Sequence, residues 1–415
     1  MTVRAKRVLL VGILALLFGL GFVLRPDGPL GHKVWPAEAI EPHVTASGNQ
    51  VALAFMEVAG SGEVATAIAV RGSHDGGQTL GDVEQLIAPG HRLSADPTLA
   101  FAPDGSLYVS WLSFRSHSSI ESEPFDMAIV VARRRPGQAH FDPPMLVARD
   151  PQTTYDKPWS SVDRDGIFHV VFRSAFANRA GIHEVALAAD GRLSTRKLID
   201  EPGFSGSLPT VCSDPVSSQS YVAYLRPERG IELLSFDKNT VVPPQLVSND
   251  GERIANAGPS CVATPSSVVV AYGLCDSPWD SARSPQPKAL VLVQYRGPGI
   301  KNVRKEIGQP GLIMMYPQLL PSLVGQDSQL QLAFLAGHRD GDPDATLRLL
   351  SLPVDLSQDV PPRVDTLRRG LRMTASREDR RWPGDYLGIA RSDGHTVISY
   401  IDNSGRRHAR LAIQP

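Results

Sequence analysis

The chain has 415 residues, with 42 lysines and arginines against 43 aspartates and glutamates and a formal net charge of −1. That near-neutral balance lacks the cationic footprint of a nucleic-acid binder, and this class is excluded. Three cysteines, Cys212, Cys261 and Cys275, show neither a CxxC motif nor metal-ligand spacing, so no metal or other cofactor is expected.

The N-terminus reads as a targeting segment. Arg4, Lys6 and Arg7 precede an uncharged apolar run from Val8 to Leu24, bounded by Arg25-Pro26-Asp27-Gly28. Positive charge ahead of such a run keeps that end cytoplasmic and sends the downstream chain across the membrane. Phe22-Val23-Leu24 are too bulky for a cleavage site, and Gly19 and Gly21 lie inside the run. Residues 1–28 are therefore expected to be a transmembrane signal-anchor holding an exported domain, residues 29–415, on the extracytoplasmic side. A cleaved signal peptide, giving a secreted protein, is the alternative.

From residue 41 onward a unit of roughly 50–68 residues recurs seven times. Each opens with a small or polar residue and usually a proline: Glu41-Pro42-His43-Val44, Ala95-Asp96-Pro97, Asp156-Lys157-Pro158-Trp159, Leu208-Pro209, Gly258-Pro259, Tyr316-Pro317 and Pro383-Gly384-Asp385-Tyr386. After this strand A comes a turn, clearest at Asp104-Gly105 and Asp165-Gly166, where Asp-Gly suits the positive φ of a tight hairpin. Strand B comes next, rich in β-branched and aromatic residues: Val51–Phe55, Leu107–Trp111, Phe168–Phe172, Tyr221–Tyr224, Val268–Tyr272, Leu330–Phe334 and Val397–Tyr400. A second hairpin, strands C and D, completes most units; in the first it flanks Ser73-His74-Asp75-Gly76-Gly77-Gln78-Thr79. Short strands repeated at this period predict an all-β fold, a single β-propeller of seven blades, with six as the alternative. The last unit ends without a strand D, and His32–Ile40 is the expected donor of that edge strand.

The Ser73–Thr79 turn and the proline-plus-hairpin units resemble the sialidase-like propellers that carry Asp-box, or BNR, repeats. The resemblance implies a structural role for Ser73, Asp75, Gly77 and Thr79. For an active sialidase it also implies an arginine cluster to hold the substrate carboxylate, a tyrosine nucleophile paired with a glutamate, and an acidic proton donor. Where that family has a Phe/Tyr-Arg-Ile-Pro motif, the first unit here has Glu41-Pro42-His43-Val44.

The starts of strands A and the ends of strands B line one rim. There Tyr386 is the candidate nucleophile, with Glu57 and Asp96 as candidate catalytic acids; Arg115, Arg173, Arg226, Trp159 and Asp385 are candidate ligand contacts. Two readings of the arginines stand: they converge on the anion of a glycan or other carboxylate ligand, or each pairs with a rim acid and ties blades together. The corresponding functions are a glycan-binding propeller, with or without hydrolysis of its ligand as a glycoside hydrolase, and a non-catalytic scaffold of the cell envelope with a protein partner. Cys212 and Cys261 sit at matching places in adjacent strands A, where they either approach one another or serve as small buried side chains.

Overall fold

The structure, a computed structural model, describes residues 38–58, 66–115, 126–176, 179–255, 258–275, 287–321, 329–338, 342–373 and 382–414. All regular structure in these residues is β. Seven antiparallel sheets succeed one another along the chain. Blade 1 is β1 (Glu38–Ser47), β2 (Gln50–Val58), β3 (Thr66–Ser73) and β4 (Val83–Leu86); blade 2 is β5 (Leu93–Phe101), β6 (Leu107–Phe114), β7 (Met127–Arg134) and β8 (Met145–Arg149). Blade 3 holds β9 (Thr154–Val162), β10 (Phe168–Phe176), β11 (Arg179–Leu187) and β12 (Leu193–Pro202). Blade 4 holds β13 (Ser207–Ser213), β14 (Ser220–Arg226), β15 (Gly230–Phe236) and β16 (Val241–Leu246). In blade 5 are β17 (Ser260–Thr264), β18 (Ser267–Cys275), β19 (Pro287–Tyr295) and β20 (Val303–Gly308), and in blade 6 β21 (Ile313–Pro321), β22 (Gln329–Gly337), β23 (Asp342–Pro353) and β24 (Arg363–Met373). Blade 7 has three strands among the described residues, β25 (Gly388–Ser392), β26 (His395–Asp402) and β27 (His408–Gln414). The first strand of each blade contacts the first strands of its two neighbours, and β25 meets β1, so the sheets form a closed seven-bladed propeller.

The core lies between blades rather than within one layer. Tyr108, Ile129, Phe168 and Val170 fill the seam of blades 2 and 3, and Tyr272, Val291, Ile231 and Leu233 that of blades 4 and 5. Alternating side chains leave both faces of each sheet, so middle strands such as β7 and β18 are apolar on both sides and read as continuous hydrophobic runs. Cys212 on β13 and Cys261 on β17 form a disulfide, with their Cα atoms 5.8 Å apart, and tie two inner strands together.

The prolines of the repeats acquire a precise role. In five blades the register of strand A against strand B skips two residues at Glu41-Pro42, Asp96-Pro97, Lys157-Pro158, Leu208-Pro209 and Tyr316-Pro317. Proline has no N–H to give a ladder and is tolerated here because strand A is the inner edge of its sheet. The residue before each proline lies in the left-handed region, with φ of 56°, 53°, 49°, 54° and 57° in chain order; in blade 5 the same place is taken by Gly258 at 73°. For residues with a Cβ this backbone costs on the order of 1–2 kcal/mol apiece.

Ring closure differs from the expectation for residues 32–40. Glu38, Ala39 and Ile40 pair with Val58, Glu57 and Met56 as the first residues of β1, not as a fourth strand of blade 7. Ala39 and Ile40 are apolar and buried, which anchors them inside blade 1 beyond the bulge at Glu41. Residues 32–37, like the signal-anchor segment 1–28, lie outside the described residues. Blades 7 and 1 are joined by other means: the Ala39 amide donates to the Arg407 carbonyl at 3.1 Å, the Arg407 guanidinium reaches Glu38 at 2.6 Å, and the Ser392 hydroxyl donates to the Gly48 carbonyl at 2.8 Å. Gly388 permits the close approach, since a Cβ there would stand 2.5 Å from the Val44 nitrogen.

The Ser73–Thr79 turn is closed by its own side chains. Ser73 Oγ donates to Asp75 and accepts from the Gly77 amide at 2.9 Å, while Asp75 accepts from the amide and hydroxyl of Thr79 at 2.9 and 2.5 Å. These donors hold the Asp75 carboxyl at about 2, with the Thr79 hydroxyl foremost. Gly77 has φ of 90°, and a Cβ there would meet Leu411 at 3.3 Å, so the turn seats blade 1 against blade 7.

Candidate functional site

The left-handed residues before the prolines place side chains at the centre of the ring. Glu41 from blade 1, Asp96 from blade 2 and Lys157 from blade 3 meet there, joined by Asp385 from the segment that leads into blade 7. Lys157 Nζ lies 2.5 Å from Asp96 Oδ1, 2.6 Å from Asp385 Oδ2 and 3.9 Å from Glu41 Oε1. Glu41 Oε2 also accepts from the Asp96 amide at 2.9 Å, and the Glu41 amide donates to the Pro383 carbonyl at 3.0 Å. Gly384 lies against this corner with φ of 106°; a Cβ on it would fall 2.5 Å from Glu41 Cγ.

The cluster is graded in depth. The side chains of Glu41 and Asp96 are 1% and 7% exposed, Lys157 12% and Asp385 21%. Burial, and then the charge of Asp96, push the Glu41 carboxyl up to about 8 against the pull of Lys157, so it holds its proton at pH 7. A neutral carboxylic acid thus stands beside a lysine shared by two carboxylates.

Aromatic rings wall the cluster. Trp159 packs edge-on against both Tyr386 and His43, with centroids 5.3 Å apart in each case, and the Lys157 ammonium lies 5.6 Å from the Tyr386 centroid. His43 Nδ1 accepts from the Leu99 amide at 3.2 Å, which places the imidazole proton on Nε2; burial holds the ring down at about 4, so it is neutral at pH 7. Behind this wall, Thr98 Oγ1 is 2.8 Å from both Ser110 Oγ and Ser160 Oγ, a buried hydroxyl chain linking blades 2 and 3.

Of the candidates taken from the sequence, Asp96, Asp385, Trp159 and Tyr386 come together here. The Tyr386 hydroxyl donates to the Pro97 carbonyl at 3.2 Å, and burial followed by the charges of Glu41, Asp96 and Asp385 drives its pKa well above the usual phenol range. That is the reverse of what a tyrosine nucleophile requires, and the geometry fits a positioning residue instead. Glu57 sits elsewhere, accepting from the Gln85 amide of β4. The three arginines are not gathered at one anion site. Arg115 is largely exposed and 3.9 Å from Asp126; Arg173 donates to the Gly206 carbonyl at 3.1 Å; Arg226 is held by Glu201, Glu228 and Glu232 and stacks on Phe204. Arg173 and Arg226 bridge blades 3 and 4, the blade-tie arrangement, whereas Arg115 is exposed beside an acid of its own blade. Glu41, Lys157 and His43 were not among the candidates. The signal for Glu41 and Lys157 was their shared place before a proline, the place Asp96 also holds.

Among the described residues no group of side chains has the makeup of a metal site. Two grooves, of about 980 and 920 Å³, lie off the axis, one beside the Ser73–Thr79 turn and Arg134–His140, the other beside Gln294, Asp355 and Arg363; both are wide open to solvent.

No protein-family model matches the chain, and no curated protein matches it. Solved structures do. A protein of unknown function from Dyadobacter fermentans superposes with a TM-score of 0.54 at 14% identity, over 91% of this chain and 94% of that one. The α-L-arabinanase of Penicillium chrysogenum, complexed with arabinobiose, gives 0.51 at 11% identity over 92% and 94%. The sialidase of Trypanosoma rangeli gives 0.49 at 13% identity, over 77% of this chain and 56% of that one. At such identities the likeness is one of fold: the chain is a β-propeller.

Proposed function

We propose that the protein is an exported propeller that binds a glycan over the axial cluster. The observation that carries this reading is the pairing of Asp385 with Lys157 at the outer end of the cluster beside the partly exposed Trp159. A carboxylate and an ammonium in fixed geometry read sugar hydroxyls as acceptor and donor, and an aromatic ring next to them offers a stacking face; few convergent polar groups with an aromatic wall are the usual makeup of a small-ligand site. Three acids around a single lysine favour the hydroxyls of a neutral glycan over an anionic one. The arabinobiose complex of the arabinanase that shares this fold supports the same class of ligand. Hydrolysis is the narrower form of the proposal, with the protonated Glu41 as proton donor and Asp96 or Asp385 as the second carboxylate. Export is in keeping with the Cys212–Cys261 disulfide and with the apolar run Val8–Leu24. An Asp-box assignment for the Ser73–Thr79 turn belongs to the same reading.

A glycan array probed with the detergent-purified full chain, and then fluorogenic arabinofuranosides and sialosides, test it. Binding to a neutral oligosaccharide that D385N weakens at least tenfold while the fold is kept supports the site. A folded chain that binds no glycan sinks the proposal and leaves the cluster as a tie between blades, the scaffold reading.

A further inference from the structure

The rim of blades 6 and 7 carries an arginine surface that the axial site does not use. Arg368 and Arg372 on β24, Arg406 in the loop before β27 and Arg410 on β27 are brought together by a set of cross-blade contacts. Arg368 reaches Asp402 of β26 at 2.9 Å, and Asp402 is paired in register with His408. Asn403 clasps the backbone of Arg372 on both sides, its Oδ1 accepting from the Arg372 amide and its Nδ2 donating to the Arg372 carbonyl, each at 2.8 Å. That clasp sets the Ser404–Arg407 loop against the end of β24. Arg410 is paired in register with Tyr400, two residues from Asp402 on the same face of β26, which places Arg410 and the Arg368–Asp402 pair on the same side of blade 7. Arg368, Arg369, Arg406 and Arg410 are exposed, and among the described residues neither Arg369, Arg406 nor Arg410 has an acid partner; the carboxylates in the group are Asp402, on Arg368, and Glu38, on Arg407. In a chain of net charge −1, this is a strongly cationic patch.

The patch also lies where the chain leaves for the N-terminus. Glu38, the first described residue, is bonded to Arg407 at 2.6 Å, and Ala39 to its carbonyl. Only residues 25–37 separate Glu38 from the apolar run that ends at Leu24, and thirteen residues reach at most about 45 Å. A bilayer holding that run is therefore within reach of Arg406 and Arg410. We infer that the Arg368–Arg372 and Arg406–Arg410 rim docks on anionic phospholipid headgroups, whose phosphates suit the planar donor fork of arginine, and so fixes the orientation of the propeller on its membrane. The inference rests on the membrane-anchored reading, and its test separates the two.

The full chain is mixed with vesicles of phosphatidylcholine alone or with 30 mol% phosphatidylglycerol, where the composition is an order-of-magnitude choice for a surface charge that binds basic segments. Flotation at high salt reports the anchor, since buried apolar length is insensitive to salt. If the anchor holds, amide hydrogen exchange over 363–373 and 404–411 decides: slowing in the anionic vesicles only, reversed by salt and lost in the R369Q/R406Q/R410Q variant, supports docking. Equal exchange in the two lipids overturns it. If the chain does not float at high salt, the anchor reading fails, and low-salt flotation then tests the rim by itself. Binding to anionic vesicles only, weakened on the order of 100-fold in the triple variant, upholds it, and binding to neither overturns it. The three substituted arginines make no hydrogen bond through their side chains among the described residues, and an unchanged melting curve of the variant confirms that its fold is intact.

Discussion

Lys157 of blade 3 and Asp385 before blade 7 are joined at 2.6 Å although two blades separate them along the ring. The pair therefore spans the central channel, and with Asp96 and Glu41 it links four consecutive blades at their inner ends. Adjacent blades are held by apolar seams; this contact is between blades that share none.

Removing the cation should show how much that link matters. Lys157→Met leaves Asp96 buried without its counter-charge beside the protonated Glu41, and loss of one partner from a buried pair costs about 3–5 kcal/mol. Urea unfolding at pH 7 should show a loss of this size, and D385N, at the more exposed end, a smaller one. Equal, negligible losses would mean that the cluster is solvated and contributes nothing to closure.

Glu41 predicts a pH dependence with a defined sign. Its carboxyl is raised to about 8 in the folded protein, so between an ordinary glutamate value of 4.5 and 8 the native state holds a proton that the unfolded chain has released. Stability attributable to this group is greatest below 4.5 and falls as pH rises through that window. Glu41→Gln keeps the acceptor for the Asp96 amide and cannot ionise. Melting temperatures at pH 5 and pH 8.5 should therefore differ less in the variant than in the parent chain.

A second buried titration lies between blades 3 and 4. His169 Nδ1 is 2.5 Å from Glu184 and Nε2 is 3.2 Å from Asp163, while Arg196 bonds the other oxygen of Glu184 and stacks on Phe236. Burial alone would lower the imidazole, but the two carboxylate bonds overcome it and the pKa is raised. The stabilisation is fully present below about 6.5, the ordinary histidine value, and is lost as pH rises through the raised one. Nuclear magnetic resonance of the His169 ring should find its titration midpoint above the ordinary histidine value, and His169→Gln should remove this part of the alkaline loss of stability. A neutral ring at pH 6 would contradict the assignment.

The Cys212–Cys261 bond joins strands 49 residues apart in sequence. Closing a loop of that length stabilises by about 4 kcal/mol in the chain-entropy account. Unfolding of C212S/C261S should show a loss near that value, and thiol titration of the denatured, unreduced parent should count one thiol, that of Cys275. Three thiols would show that the bond does not form.

The blades were legible because a propeller repeats its punctuation: Asp104-Gly105 and Asp165-Gly166 mark A–B hairpins, and the prolines mark inner strands. Half of the axial site was legible for the same reason, since Asp96, Asp385, Trp159 and Tyr386 stand at strand starts. Lys157 and Glu41 escaped because their importance depends on a left-handed backbone that brings them inward, and their one local mark, the place before a proline, is shared with Leu208 and Tyr316. The arginines misled for an opposite reason. Arg226 ends its strand as an anion ligand would, yet Glu228 and Glu232 come within six residues after it and Glu201 faces it from the neighbouring segment, so its charge is spent where it stands. Closure was misjudged at Glu38–Ile40 because apolar pairing with β2 extends strand A past the Glu41 bulge.

The residues before the inner prolines, Glu41, Asp96, Lys157, Leu208, Gly258 and Tyr316, differ in charge, size and polarity while their backbone does not. The bulge and the proline set the direction of the side chain, and the strand behind it is built from other positions. Ligand preference at the axis is therefore separable from the architecture that presents it. Concerted exchanges at these addresses that keep the charge balance around Lys157 change the chemistry at the axis while each blade keeps its pairing.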